Sequence, residues 1–404
     1  MKFKTSILIV IIGLLPLVMV LGNSMLIPIL PLMEEELNIS PLQVGFLLSV
    51  FSILAAVVIP IVGFLSDRFG RKKLVLISLG FVMIGSIVTI VAGQGVAHPF
   101  EWVLLGRVLQ GIGAGGTAPL AMALVGDLFE GSERSKSLGA LEVFNGIGKV
   151  VSPFIGAIAA LFFWYSAFYI YFIISLAAFL GIYYSISTVD QEKNNESLTK
   201  YRKMLVVVIK KQARWLFPLA FLGAIGLFLL FGLLVFLSFE IERIYQINGI
   251  FKGIVFTIPL GALTFVSYWT GKNIGSDHIY MKQLLLLGSM LLSGALVFLI
   301  FFHNLQALIF GLTLASAGLG FVLPCVNTLI TSSVSGKERG LIVSLYAMIR
   351  FLGVAFGPIF FSLWMEEVVD MFVKAALLII LSSLWMIAAL KLKPLLKTLT
   401  SRLN

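Results

Sequence analysis

The sequence predicts an all-α membrane protein whose twelve transmembrane helices form two pseudo-symmetric six-helix bundles. Three observations predict this fold. The 404 residues are 59% apolar and 12% charged, whereas a soluble domain is about 25% charged, so lipid is the expected solvent. Twelve apolar stretches are long enough to cross a bilayer core, which takes roughly 20 helical residues. The two halves of the chain also share residue types at a constant offset.

Hydrophobic runs between charged or proline- and glycine-containing segments place the spans. The first run follows Lys2 and Lys4, as a signal peptide would, but it is too long, and no small-residue cleavage pattern precedes Pro28 and Pro31. We therefore expect a retained helix. The twelve predicted spans are 6–31, 41–65, 74–95, 100–125, 137–161, 164–187, 214–239, 251–271, 281–302, 305–330, 340–364 and 371–390.

Basic residues predict the orientation of the spans. Most of the 29 lysines and arginines lie in the segments on the side of the N-terminus, whereas the opposite segments hold Arg243, Lys252 and Lys374. Cytoplasmic segments carry the excess of bases in membrane proteins. The chain is therefore predicted to be a multi-pass protein of the cell membrane with both termini in the cytoplasm.

The longest polar stretch predicts the domain boundary. Residues 188–213 follow the sixth span and are predicted to be a cytoplasmic linker between an N-terminal bundle, 1–187, and a C-terminal bundle, 214–404. The second part of this linker, from Lys200 to Lys211, is basic and amphipathic, so it is expected to lie on the anionic inner leaflet.

An internal repeat relates the two predicted bundles. At an offset of 205 residues, glycines, prolines and a Glu-Arg pair recur without a gap, and an offset of six spans makes the repeat parallel. Duplicated six-helix halves with a site between them are typical of a transporter that works by alternating access. The matched pairs are Gly70/Gly275, Gly113/Gly318, Gly115/Gly320, Pro119/Pro324, Glu133/Glu338, Arg134/Arg339, Gly148/Gly353 and Pro153/Pro358.

Composition also argues against several function classes. The net charge of +10 follows topology rather than a nucleic-acid surface, because the bases lie between apolar runs. Cys325 stands alone and the three histidines have no ligand-like neighbours, so no metal site is predicted. No phosphate-binding loop, catalytic constellation or pore-like filter appears. The sequence predicts no enzyme and no cofactor, and ATP hydrolysis on this chain is not expected. The expected partners are a small-molecule substrate and the lipid bilayer around a monomer.

Four stretches carry a resemblance to a known family. They are the loop Gly63-Phe-Leu-Ser-Asp67-Arg68-Phe-Gly70-Arg71-Lys72, Leu21-Gly22 with Pro28 and Pro31, Arg107-Val-Leu-Gln110-Gly111-Ile-Gly113, and the fifth-span residues Gly139, Gly148, Ser152-Pro153 and Gly156-Ala157. Together they resemble the motifs of the major facilitator superfamily, in its twelve-helix drug:proton antiporter branch. The fifth-span motif departs from the family pattern at Ser152 and Ala157, where glycine is usual.

The resemblance implies roles for these residues and the major facilitator fold. The loop with Asp67, Arg68 and Arg71 would be a conformational latch. Asp67 would engage the start of the eleventh span near 336–340, and Arg71 would reach Asp127. On charge alone, the same loop could be a positive-inside anchor. Arg107 would take part in proton movement, or could simply brace helices. The fifth-span residues Gly139, Gly148, Ser152, Pro153 and Gly156 would form the helix-packing motif of exporters.

Ionisable residues inside predicted spans are functional candidates, because charge at membrane depth is costly. Glu142, Asn145 and Lys149 share one face of the fifth span. Burial favours the protonated carboxylate, which suits a proton carrier. Glu142 is therefore a candidate for proton coupling, beside two alternatives: a structural pair with a base, or a cytoplasmic-edge position without consequence.

Polar residues of several spans are candidates for a substrate cavity. They are Asn23, Asn145, Lys149, Tyr346 and Arg350. The bases Arg107, Lys149 and Arg350 outnumber the one acid placed clearly inside a span, which favours substrates with anionic or phenolate groups. The alternative is that snorkelling or carbonyl contacts satisfy these bases.

The predicted function is proton-driven export of amphiphilic small molecules by alternating access, of the multidrug efflux type. Two alternatives stay open. A dedicated exporter of one anionic metabolite or siderophore shares every motif, and a proton-coupled uptake symporter would use the same fold in the other direction.

Overall fold

The computed structural model describes residues 3–186, 198–275, 278–332 and 337–391, with the backbone alone at 3–5, 67, 198–212, 278, 337–340 and 391. Within these ranges every regular element is helical, and twelve helical stretches are long and apolar enough to cross a membrane. The predicted fold class is confirmed. The first span comprises Phe3–Ser24, the 3-10 turn Ile27–Ile29 and Leu30–Leu37. Spans two to twelve are Pro41–Phe69, Arg71–Ala92, Pro99–Leu128, Gly131–Ala159, Ser166–Ser185, Leu198–Arg243, Gly249–Asn273, His278–Phe301, Leu305–Ser332, Lys337–Trp364 and Val368–Lys391.

The first span is broken near its end. Pro28 and Pro31 lack an amide hydrogen, so the regular helical ladder is interrupted there and a 3-10 turn takes its place. The helix resumes and continues to Leu37, beyond the predicted end at residue 31, because the acidic run Glu34 to Glu36 forms its last turn rather than a loop. Asn38 then ends the helix in the left-handed conformation.

The seventh span is longer than the sequence predicts. Its helix runs from Leu198 to Arg243 over 46 residues, so the second part of the predicted 188–213 linker continues directly into the membrane helix. Residues 188–197 lie outside the described part of the chain. The basic residues from Lys200 to Lys211 are helical, and the prediction that they lie on the inner leaflet stays a prediction.

Chain packing divides the protein into two compact units. The first comprises Met1–Asn195 with Leu234–Thr257, and the second Glu196–Leu233 with Ile258–Asn404. In the first unit the fourth span packs on the third and second spans, and the fifth span packs on the first. In the second unit the ninth span packs on the tenth and twelfth. The division differs from the predicted halves, since the segment Leu234–Thr257 groups with the first unit.

The repeated glycines have matching surroundings in the two units. A Cβ on Gly113 would lie 2.3 Å from the Ser78 carbonyl oxygen of the third span, and one on Gly318 would lie 2.6 Å from the Gly288 carbonyl of the ninth. Both glycines therefore permit close backbone contact between corresponding spans, as small residues do in membrane bundles. The sequence repeat thus reflects a repeat of packing.

Candidate functional site

Arg107 lies fully buried at the centre of a polar network in the first unit. Its Nε donates to the Leu47 carbonyl oxygen at 2.9 Å, and its Nη1 donates to the Gly22 carbonyl at 2.7 Å and to Gln110 Oε1 at 2.8 Å. Its Nη2 donates to Asn23 Oδ1 at 2.7 Å. These acceptors are all neutral, and they come from the first, second and fourth spans.

The two carboxamides that accept from Arg107 make further hydrogen bonds, one of which reaches the third span. Asn23 Nδ2 donates to Ser52 Oγ at 2.5 Å, and Gln110 Nε2 donates to Ser86 Oγ at 3.3 Å. The Arg107 guanidinium carbon also lies 4.4 Å from the centroid of the Phe51 ring, within the range of a cation–π contact. The network therefore joins four spans through one charged side chain.

Gly22 makes room for this arrangement. A Cβ at this position would lie 2.5 Å from Phe51 Cζ and 2.7 Å from the Tyr171 hydroxyl of the sixth span. A larger residue would push both rings away from Arg107. Ser52, Ser86, Phe51 and Tyr171 were not among the predicted site residues. The signal that could have found them is a small polar or aromatic residue within the apolar runs that flank Arg107.

The structure places Asn23 in the Arg107 network, and its role in a substrate cavity stays a prediction. The side chain is 4% exposed, and both of its polar atoms are occupied by Arg107 and Ser52. The physical reason is that a buried guanidinium needs acceptors, and the Asn23 carboxamide is close enough to provide one. Asn23 belongs to the Arg107 network.

The acid of the fifth span does not meet the expectation of burial. Glu142 is exposed, whereas Asn145 and Lys149 on the same helix face are half-buried. The reason is its place around the helix: Ser137, Leu141 and Gly148 lie on the buried side of this span, and Glu142 does not. Its role in proton coupling stays a proposal.

The glycine motif of the fifth span packs mainly on the first span. A Cβ on Gly156 would lie 1.9 Å from the Met25 carbonyl oxygen, and one on Gly148 would lie 2.9 Å from Leu17 Cδ1. Ser152 and Pro153 are buried between them, and the Ser152 hydroxyl donates to the Gly148 carbonyl. Gly139 differs: no atom outside its own helix turn lies within 4 Å of a Cβ built there. Among the described residues the helix faces open space at that point, and the packing role of Gly139 stays a prediction.

The loop between the second and third spans makes the contact expected of Arg71. Arg71 Nη1 lies 2.6 Å from Asp127 Oδ1 at the end of the fourth span, and it also donates to the Ala123 carbonyl. Arg68 is exposed and lies over the Phe69 ring. The Asp67 side chain and residues 333–336 lie outside the described part, as do the side chains of 337–340. The latch role stays a prediction.

Lys72 makes an additional contact that the sequence did not predict. Its ammonium donates to the Tyr183 carbonyl at 2.8 Å and to the Ile186 carbonyl. These carbonyls end the sixth span, where a helix has unpaired acceptors and a partial negative charge. Lys72 therefore caps the sixth span from the first turn of the third span.

Tyr346 and Arg350 come together in the second unit. Tyr346 is 2% exposed, and the Arg350 guanidinium carbon lies 5.4 Å from the centroid of its ring. Arg350 Nε is buried and has no hydrogen-bond partner among the described residues. A charged donor in this state can donate a hydrogen bond to an anionic oxygen without losing another partner.

The part of the chain that the structure covers contains no ligand set for a metal ion. There, no group of three or more histidine, cysteine, aspartate or glutamate side chains could hold a metal ion. Cys325 is buried.

Comparison with known proteins identifies the family. The sequence model of the Major Facilitator Superfamily matches residues 12–358 and 276–402. A bacillibactin exporter of Bacillus subtilis is 38% identical over 354 residues, covering 87% of this chain and 88% of that protein. Multidrug resistance protein 1 of the same organism is 28% identical over 351 residues, covering 84% of this chain and 85% of the relative.

Solved structures agree on the fold. A D-xylose-proton symporter matches with a TM-score of 0.75 at 13% identity, covering 94% of this chain and 96% of that chain. The human organic anion transporter MFSD10 matches with a TM-score of 0.69 at 19% identity, covering 95% and 99%. The chain belongs to the major facilitator superfamily: it is a membrane transporter and not an enzyme.

Proposed function

We propose that this transporter exports an anionic, amphiphilic small molecule of the siderophore type, driven by protons that move inward. The negative charge proposed for the substrate rests on Arg350: its Nε is buried beside Tyr346 and has no hydrogen-bond partner among the described residues. An anionic or phenolate oxygen would satisfy this donor, and charge-assisted hydrogen bonds are the stronger ones. The 38% identity with a bacillibactin exporter supports the same substrate class.

Alternating access would supply the transport cycle in the cell membrane. The two states must interact unequally with substrate and proton, since a ligand with equal affinity for both shifts nothing. We assign the proton to Glu142, and Arg107 would couple helix movements to its charge. Glu142 is exposed at the surface of its helix, so proton exchange needs no separation of side chains packed around it.

Inverted membrane vesicles test the substrate charge. We expect proton-driven accumulation of bacillibactin in wild-type vesicles. Arg350→Ala should lower its rate at least about tenfold, because a hydrogen bond to a charged group contributes roughly 1.5–3 kcal/mol. Lys149→Ala should act in the same direction, and Arg350→Lys should retain part of the activity. The cation ethidium is the control substrate, transported by the same vesicles and variants for comparison with bacillibactin. Unchanged transport of both probes in both alanine variants would contradict the anionic site.

A second pair of variants tests the proton site. Glu142→Gln should abolish acceleration by a proton gradient while leaving downhill substrate exchange intact. Glu133→Gln removes an exposed acid from the start of the same span and is the control. Equal gradient dependence in wild type and Glu142→Gln would assign the proton elsewhere.

Multidrug efflux is the second candidate function. It is supported by 28% identity with multidrug resistance protein 1 over most of both chains. Proton-driven accumulation of ethidium together with bacillibactin would favour it over a dedicated exporter. Proton-driven loss of both compounds from inverted vesicles would instead favour the uptake alternative.

A further inference from the structure

A groove opens between the fifth and sixth spans of the first unit, close to the connection 160–165 that joins them. Its volume is about 350 Å³, within the range of roughly 300–1,000 Å³ that ligand pockets occupy. Residues at helical spacing on the two spans line it. The fifth span contributes Ile155, Ile158, Ala159 and Phe162, and the sixth contributes Ser166, Tyr169 and Ile170. None of these was a predicted site residue.

The groove exists because the two spans pack on different neighbours at this end. A Cβ on Gly156 of the fifth span would lie 1.9 Å from the Met25 carbonyl oxygen of the first span. A Cβ on Gly93, which follows the third span, would lie 2.1 Å from Tyr165 Cδ1 at the start of the sixth. The fifth span is thus held to the first and the sixth to the third, so a gap remains between them.

The lining of the groove is apolar except for neutral hydroxyl groups toward the connection. Ser166 begins the sixth span, and the Tyr169 hydroxyl accepts a hydrogen bond from Gln94 Nε2 at 3.2 Å, just beyond the end of the third span. None of the described lining residues is charged. A molecule that fits this lining has a long apolar part and, at one end, neutral oxygen atoms that can accept hydrogen bonds.

Exposed apolar residues continue the groove along the surfaces of both spans. Val151 stands one turn before Ile155 on the fifth span, and Ile173 stands one turn after Ile170 on the sixth; both are exposed. Phe162 is 73% exposed beside the connection, and exposed aromatic rings are typical of the ends of membrane spans. The groove is therefore continuous with the surface that the two spans present to the hydrocarbon of the bilayer.

We propose that this groove binds one acyl chain of a membrane phospholipid, with the ester oxygens of the lipid near Ser166 and Tyr169. Lipid tails are as apolar as the lining, so hydrophobicity alone does not favour the groove over the surrounding bilayer. Close van der Waals contact on several sides of the chain does favour it. The bound chain fills the gap between the two spans and supports their separation. This site requires only that the chain crosses a membrane, and it does not rest on the proposed substrate or proton coupling.

Native mass spectrometry of the purified full-length protein tests the site. We expect wild type to retain one phospholipid through mild delipidation in detergent. Ile158→Trp places a larger side chain in the groove and should lower the fraction of protein that carries the lipid at least about fivefold, because the acyl chain loses its contacts. Ser166→Phe fills the groove from the sixth span and should act in the same way, which covers a folding failure of the first variant. Ile147→Trp, at an exposed position of the fifth span outside the lining, is the control.

Lipid retention by both groove variants at the wild-type level would overturn the proposal. Equal loss of lipid in the groove variants and in Ile147→Trp would also overturn it, since the lipid would then belong to the general boundary layer around the protein.

Thermal unfolding in detergent with added lipid provides a second measurement. A ligand that binds only the folded state raises the melting temperature, so dioleoylphosphatidylglycerol should raise it in wild type and Ile147→Trp, and less in Ile158→Trp and Ser166→Phe. Dioleoylphosphatidylcholine should act equally, because no charged side chain lines the groove. A rise that depends on the headgroup, or one of equal size in all variants, would contradict recognition of the acyl chain. Neither measurement uses a transported compound, so the lipid site and the proposed function can fail independently.

Discussion

A charged residue at membrane depth is tolerated here because neutral groups surround it. Arg107 is fully buried and donates to two backbone carbonyls and two carboxamide oxygens. Insertion of an arginine at a helix centre costs roughly 2.5–3.5 kcal/mol on insertion scales, and each hydrogen bond to a charged group returns roughly 1.5–3 kcal/mol. Its four acceptors can therefore offset the insertion cost without a carboxylate among them.

Asn23→Ala tests the strength of this network at the level of one residue. The change removes the acceptor of Arg107 Nη2 and the donor to Ser52. We expect a loss of about 1.5–3 kcal/mol in unfolding free energy, since a charge-assisted bond is lost. Unfolding in detergent with a denaturant series measures it. Ser86→Ala is the control, because the 3.3 Å bond from Gln110 is long and neutral. Equal stability losses in the two variants would contradict the central place of Asn23.

The fifth span has one side that packs closely on the first span and another side that is exposed. Gly148, Ser152 and Gly156 recur every four residues, which keeps them on one stripe against the first span. Small residues at this spacing let membrane helices approach closely. A Cβ at Gly139 would meet no atom of the described residues beyond its own helix turn. The closest backbone contact with the first span therefore lies at Gly156.

Gly156→Ala and Gly139→Ala form a matched pair at the scale of this element. A methyl group on Gly156 would collide with the Met25 carbonyl, and overpacking costs about 1–3 kcal/mol. We expect a lower melting temperature and reduced transport for Gly156→Ala. The same change at Gly139 meets open space and should stabilise the helix slightly, because alanine favours helices over glycine by about 1 kcal/mol. Thermal unfolding in detergent compares them, and a melting temperature of Gly156→Ala equal to that of wild type would contradict the close packing.

The loop between the second and third spans gives a prediction of a different kind. Asp127→Asn removes the partner of Arg71 while both side chains are partly accessible. The stability loss should therefore be small, on the order of 0.2–1 kcal/mol, whereas a latch predicts a larger loss of transport rate. Asp67→Asn should likewise slow transport and leave insertion and substrate binding intact. Lys73→Ala, which removes an exposed base close to the same loop, is the control for charge. Full transport by both Asp127→Asn and Asp67→Asn would contradict the latch and favour the alternative that the loop is only a positive-inside anchor.

At the scale of the whole molecule, the repeat preserves packing but not polarity. With the 205-residue offset, Leu312 stands where Arg107 stands and Phe228 where Asn23 stands. In the second unit Leu312 and Ala315 line a narrow apolar cavity, in place of the hydrogen-bonded network of the first. The glycines that set the distances between helices are therefore shared by the two units, whereas the buried polar network around Arg107 has no counterpart at the matching positions of the second unit.

The predicted topology follows from the distribution of bases and can be tested on the intact protein. Ser132 and Glu36 are both exposed, and they lie on opposite predicted sides. We expect a membrane-impermeant maleimide to label Glu36→Cys but not Ser132→Cys in intact cells, and to label both after permeabilisation. The buried Cys325 provides a low background. Labelling of Ser132→Cys but not of Glu36→Cys in intact cells would show that the orientation is the reverse of the predicted one.

The sequence by itself determined the span count and the duplication. These depend on the length of apolar runs and on a fixed offset between glycines and prolines, both of which can be read along the chain, whereas the contact of Arg71 with Asp127 was expected from the family resemblance. Only the tertiary structure decided that Asn23 accepts a hydrogen bond from Arg107, that Glu142 is exposed, and that Gly139 meets no neighbour among the described residues. Burial and partnership depend on which faces of distant helices meet. A membrane helix is apolar on nearly every face, so its sequence carries little periodic signal to indicate which face that is.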